Sequence, residues 1–134
     1  MNRSAQREAV FKMLFAAGFL IDEEPEPVYE RLLQSEEYED GEYLRKAFFG
    51  VTETRDELDG IIQSCAKGWK LNRISKVALC VMRLSVYEMK YITDVPFAAS
   101  INEAVELVKR YDEEKTVKFV NGVLNSAAEV LELK

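Results

Sequence analysis

Histidine is absent from all 134 residues. With it go the commonest general base, the usual partner of a nucleophilic Ser or Cys, and the most frequent metal ligand. Triads of the Ser-His-Asp or Cys-His kind are excluded. Cysteine is scarce as well: Cys65 and Cys80 stand apart without Cys-x-x-Cys spacing, which argues against a zinc site of the usual sort and against a disulfide scaffold. Set among Ala66, Leu79 and Val81, they read as free thiols in a reducing cytosol. No apolar run approaches the roughly eighteen residues that a transmembrane helix needs. Arg3 and Arg7 ahead of the apolar residues 13–21 imitate a signal peptide. Glu8 and Lys12 break that pattern, and Asp22-Glu23-Glu24-Pro25 stands where a small-residue cleavage site belongs. The expectation is a cytoplasmic, non-enzymatic protein without cofactor, metal or membrane span.

What is present is a length suited to one domain with a real core and a segregated charge. The net charge of −6 looks hostile to nucleic acid. It is an average over unlike segments: residues 22–59 hold fourteen Asp and Glu against Arg31, Arg45, Lys46 and Arg55, a net −10. Residues 1–21 carry +2, residues 60–92 carry +5 and residues 93–134 carry −3. Such asymmetry points to one face that attracts phosphate and another that repels it, unless the acidic loops are simply solvated.

Apolar residues recur at helical spacing from end to end, and no stretch alternates as a strand would. The fold class expected is all-α, about seven helices in two small packed bundles over roughly 1–66 and 67–134. The first helix spans about 4–21 with Ser4 as N-cap. Pro25 and Pro27 open a short second helix over Val28, Tyr29, Leu32 and Leu33. An acidic loop at 35–41 follows, then two consecutive helices from Glu42 with a break near 52–55. Asn72 caps a central, buried helix over 73–91. Ser100-Ile101-Asn102-Glu103 has the spacing of a capping box for a sixth helix ending near Tyr111. The last helix covers about 115–132.

Several residues stand out against that frame. Arg83 interrupts the most apolar helix and needs a partner, Glu88 or Glu103, if it is not to reach solvent. Asn121-Gly122 lies inside a helical pattern. Gly122 reads as a point of close helix approach and Asn121 as an amide serving a buried carbonyl or a ligand. Arg3, Arg7 and Lys12 with Phe11, Phe15 and Phe19 form a basic and aromatic arrangement suited to single-stranded RNA, although part of the phenylalanine line must be core.

Over essentially its whole length the sequence resembles the NusB transcription antitermination factors. The resemblance is carried by Arg7-Glu8-Ala9 with Leu14-Phe15, Trp69 with Arg73-Ile74, Met82-Arg83-Leu84 with Tyr87-Glu88-Met89, and Val95-Pro96. Two further blocks, Ile101-Asn102-Glu103-Ala104 with Glu106-Leu107 and Lys109, and Lys118-Phe119-Val120-Asn121-Gly122-Val123-Leu124, are the most specific.

The resemblance implies a two-bundle helical fold and an RNA-binding adaptor without catalysis. Its partners would be ribosomal protein NusE and the boxA RNA of ribosomal RNA leaders, within an antitermination complex on RNA polymerase that includes NusA and NusG. Carried over residue by residue, it assigns phosphate contacts to Arg3, Arg7 and Lys118 and stacking or shape contacts to Phe15 and Phe119. Lys115, where relatives often carry Asp or Ser, would favour phosphate if it faces the same groove. The chain also departs from its relatives: the arginine cluster before the first helix is thinned to Arg3 and Arg7, and Ala78-Leu79 replaces an acidic-basic pair. Fewer phosphate contacts imply a shallower salt dependence. NusB-like domains also begin some rRNA cytosine methyltransferases, but this sequence has no Gly-rich nucleotide loop and no catalytic Cys motif. The competing reading is a helical protein-interaction module or homodimer that acts through its acidic segment without specific RNA binding.

Overall fold

The computed structural model describes residues 1–20 and 22–134. Among them are seven α-helices, one 3₁₀ turn and no strand, in two compact units, Met1–Glu53 and Thr54–Lys134. The expected all-α class holds. The boundary falls at 53/54 rather than near 66/67, because the helix over residues 55–65 packs on two later helices.

The first unit holds α1 (Arg3–Ala17), α2 (Pro25–Ser35) and α3 (Glu42–Glu53). α1 is capped by Asn2, whose side chain accepts from Ala5 N at 2.8 Å, so Ser4 lies inside the helix rather than at its cap. It ends at Ala17, short of the expected 21, and Ile21 itself lies outside the described residues. α2 opens on Pro25, where the missing N–H costs nothing. Val10, Met13, Val28, Leu44 and Phe48 are fully buried, and the Tyr29 ring lies 5.2 Å from Phe48 and 5.0 Å from Phe49. The Tyr29 hydroxyl donates to Asp40 at 2.6 Å, while Arg45 bonds both Asp40 and Glu30. The Tyr29 hydrogen bond above all, with Gly41 N–H and Arg45, holds the Asp40 carboxyl below its ordinary range against desolvation. Desolvation, then the same hydrogen bond, pushes the Tyr29 phenol up. The acidic segment is thus organised locally around one arginine.

The second unit holds α4 (Arg55–Cys65), a 3₁₀ turn (Leu71–Arg73), α5 (Lys76–Tyr91), α6 (Phe97–Tyr111) and α7 (Glu114–Val130). α5 contacts α4, α6 and α7, as its nearly continuous apolar surface requires. Its N-cap is Ser75, whose hydroxyl accepts from Ala78 N at 3.1 Å, rather than Asn72, which falls in the 3₁₀ turn. The capping box is likewise corrected. α6 starts at Phe97 behind Pro96, which places Ser100 inside the helix, 1% exposed, with its hydroxyl 3.0 Å from that of Ser85 and donating to Glu88 at 3.4 Å. A buried polar group must find partners, and here those partners lie across the α5/α6 contact.

Arg83 donates in a fork to Asp59 of α4, 2.7 Å from Nε and 3.0 Å from Nη2, with only 12% and 18% of the two side chains exposed. The expected partners Glu88 and Glu103 are not the ones that take this fork. Glu88 is buried beside Ser100, and Glu103 is half-buried on α6. Both cysteines are free thiols, and burial pushes the Cys80 thiol up, away from reactivity.

Candidate nucleic-acid interface

In the first unit, α1 distributes its basic and aromatic residues unevenly. Arg3 is exposed, and its guanidinium sits 4.4 Å over the Tyr43 ring, a cation–π contact that orients it. Arg7 is only 6% exposed, buried in α1 where its charge and position suggest a surface cation. The phenylalanines grade outward. Phe11 is core, Phe15 is half-buried, and Phe19 is 59% exposed, with Phe15 and Phe19 edge-to-face at 5.4 Å. The expected stacking residue Phe15 therefore belongs to a small aromatic step that includes the exposed Phe19.

In the second unit, the chain between α4 and α5 builds one wall of a cleft. Gly68, at φ 80°, adopts the left-handed conformation that glycine accepts without strain and turns the chain after α4. Trp69 N then bonds to Ala66 O at 3.0 Å. The Gln63 side chain accepts from Leu71 N at 3.3 Å and donates to the Trp69 carbonyl. So clamped, the Trp69 indole is 52% exposed and lies edge-to-face with Phe119 of α7 at 5.5 Å.

These two rings wall a cleft of about 430 Å³ whose apolar back is Ile74 and Ala78. Arg73 and Lys115 stand at its rim, both exposed. Its polar side is Asp112, which accepts from Ser75 Oγ at 2.5 Å, from Glu113 N at 2.7 Å and from Thr116 Oγ1 at 3.4 Å. Aromatic faces beside cationic groups in a concavity suit an unstacked base and its phosphate.

Of the residues expected on α7, Lys115 and Phe119 therefore share one cleft, while Lys118 is exposed outside its lining. Trp69, Arg73 and Asp112 were missed as site residues. A signal was present in Lys67-Gly68-Trp69-Lys70, the single tryptophan of the chain between two lysines. Ala78, one of the cleft's lining residues, is fully buried.

Asn121 and Gly122 are exposed, which corrects the expectation of close helix approach at Gly122 and of a buried role for the Asn121 amide. Asn121 accepts from Asn125 Nδ2, 2.8 Å at its carbonyl and 3.3 Å at its side chain, and a Cβ at Gly122 would meet nothing within 4 Å. Gly122 thus weakens α7 without relieving any crowding in the described residues. Gly122→Ala is expected to stabilise the chain by about 1 kcal/mol, read as a higher urea midpoint at unchanged m value. Unchanged or lower stability would show that the glycine is required by the fold.

The described residues include no group of three or more His, Cys, Asp or Glu placed to hold a metal, and no helix long and apolar enough to cross a membrane. The family model described as the NusB family matches residues 4–129. A relative from Acetivibrio thermocellus, named transcription antitermination protein NusB, is 41% identical over 97% of this chain and 90% of its own. The solved structure of T. maritima NusB superposes with a TM-score of 0.87 at 38% identity, covering 96% of this chain and 92% of that one. A crystal structure of antitermination factors NusB and NusE in complex with double-stranded RNA gives a TM-score of 0.83 at 26% identity, covering 97% and 99%.

Proposed function

This chain belongs to the NusB family, and from that premise we propose that it is an RNA-binding transcription antitermination factor. With ribosomal protein NusE it recognises the boxA RNA of ribosomal RNA leaders, and it supports the antitermination complex on RNA polymerase alongside NusA and NusG, in the cytoplasm. It acts by binding, not by catalysis. The observation that carries the reading is the cleft in the second unit, lined by Trp69 and Phe119, which meet edge-to-face, together with Arg73 and Lys115. Support also comes from the solved relative described with NusE and RNA.

The physical roles follow from the geometry of each unit. Trp69 and Phe119 offer ring surface to a base, and Arg73 and Lys115 neutralise the phosphates on either side of it. Lys118, Arg3 and the Phe15–Phe19 step extend the contacts along their own helices. Arg7, being buried, supports the position of α1 and contacts no phosphate. In the second unit, three exposed cations, Arg73, Lys115 and Lys118, give a salt dependence with a slope near −2, at about −0.7 per phosphate for single strands.

The test is a titration of boxA RNA and a scrambled RNA, with and without NusE, over a salt series. The expected result is tighter binding of boxA by the pair than by either protein, with a shallow slope. Equal affinity for the two RNAs in the presence of NusE would overturn the reading.

A further inference from the structure

We propose that Gln63 is a positioning residue for RNA binding: it touches no RNA itself, but its side-chain amide clamps the chain on both sides of Lys70 and so holds the Trp69 indole at the cleft. The inference rests on the RNA-binding reading above and names what keeps that site preformed.

The chain between Ala66 and Ile74 has little core to hold it. Those two residues are buried, at 1% and 8% exposed, whereas Leu71 is half-buried and the other residues of 67–73 are exposed. Hydrogen bonds must therefore fix its course. Trp69 N bonds back to Ala66 O at 3.0 Å, and the 3₁₀ turn is closed by Arg73 N to Lys70 O at 2.9 Å and by Ile74 N to Leu71 O at 3.1 Å. The two peptide groups that flank Lys70 are served by Gln63, in the last turn of α4. Its Nε2 donates to the Trp69 carbonyl, and its Oε1 accepts from Leu71 N at 3.3 Å. One amide head, with a donor and an acceptor, thus spans both groups at once. Gln63 is itself exposed and lies outside the residues that line the cleft.

Without the clamp, water can serve both peptide groups, so the fold as a whole loses little. The loop, however, gains alternatives at Gly68, whose left-handed φ of 80° is one of several conformations open to a glycine. The indole is 52% exposed, and its edge-to-face contact with Phe119 at 5.5 Å is of modest strength. A site that is competent in only part of the population binds more weakly by that fraction. What Gln63 supplies is preorganisation.

Gln63→Met keeps the length and helix preference of the side chain and removes its donor and acceptor. Anisotropy of a labelled boxA RNA with NusE is read for wild type, Gln63→Met, Trp69→Ala and the double variant, with a thermal melt of each. Gln63→Met is expected to weaken binding about fivefold at an unchanged salt slope, because no charge is lost. In the Trp69→Ala background the same substitution should change affinity by less than about 1.5-fold, since the clamp acts only through the indole. Trp69 is the only tryptophan, so fluorescence of the chain without NusE reports the loop directly. In Gln63→Met its anisotropy should fall and its quenching by acrylamide rise, with a melting temperature close to that of wild type. Gln63→Asn, whose amide is one methylene too short to reach both groups, should behave alike and stands in if the methionine variant melts early.

Wild-type affinity in both Gln63 variants would overturn the positioning role and leave the RNA-binding reading intact. A full fivefold loss in the Trp69→Ala background, or weakened binding with unchanged Trp69 anisotropy, would show that Gln63 acts by a route other than the indole and overturn the clamp. Absence of boxA binding by wild type with NusE would overturn both readings.

Discussion

Arg83→Ala is expected to lower the stability of the chain by about 3 kcal/mol, at the low end of what breaking a buried ion pair costs because both partners keep a little solvent contact. Asp59, whose side chain is 18% exposed in the intact pair, would lose its two fork bonds, and an unpaired carboxylate in that position is penalised for its desolvation. The loss is large because the pair ties α4 to α5, the helix against which the rest of the second unit packs. Urea denaturation of the single variants, of Arg83→Met with Asp59→Leu, and of wild type would separate the pair from its surroundings. The double apolar variant should regain most of the stability, since two well-packed apolar groups need no partners. A loss below about 1 kcal/mol for Arg83→Ala would mean that the pair behaves as a solvated surface bridge.

Phe119→Ala is expected to weaken RNA binding about thirtyfold, the equivalent of about 2 kcal/mol for one lost base-stacking contact. The ring is half-buried against Trp69, so its removal also frees the indole from its edge-to-face partner and loosens the wall of the cleft. The salt slope separates this from an electrostatic effect. In Phe119→Ala the slope should stay at the wild-type value, whereas Lys118→Ala should weaken binding modestly and reduce the slope by about 0.7. Anisotropy of a labelled boxA RNA with NusE present measures both, with a thermal melt of each variant as the control for folding. Binding by Phe119→Ala within about twofold of wild type would remove the cleft from the RNA path.

Those two expectations differ in how far they were legible beforehand. Phe119 and Lys115 were identifiable through the resemblance, Phe119 from the Lys118-Phe119-Val120-Asn121-Gly122 block and Lys115 from its place near the start of the last helix. Trp69 was in view as a residue type but not as a wall of a cleft, since nothing local says that the loop after α4 turns at Gly68 toward α7. Arg83 was recognised as a charge that needs a partner, yet its partner was misassigned to Glu88 or Glu103, when Asp59 on another helix takes the fork. Arg7 shows the reverse error. A basic residue near a chain start reads as surface, and here the packing of α1 encloses it. Asn121 and Gly122 were read as interior because the residues around them are apolar, but the two fall on the exposed side of α7.

The sequence by itself determined the all-helical class, the number and order of the helices, and the absence of histidine-based chemistry. Each of these is written in local periodicity, in proline and cap positions, or in composition. It also showed that residues 22–59 carry the largest excess of negative charge, a net −10. Only the tertiary structure decided where that missing histidine leaves room for function. A cleft walled by Trp69 and Phe119 and edged by Arg73, Lys115 and Asp112 draws on a loop, a 3₁₀ turn and two helix starts that are distant along the chain. Helical spacing repeats every 3.6 residues and dictates which faces are apolar. Which apolar face meets which, and which charges are enclosed when they meet, is settled by packing between elements.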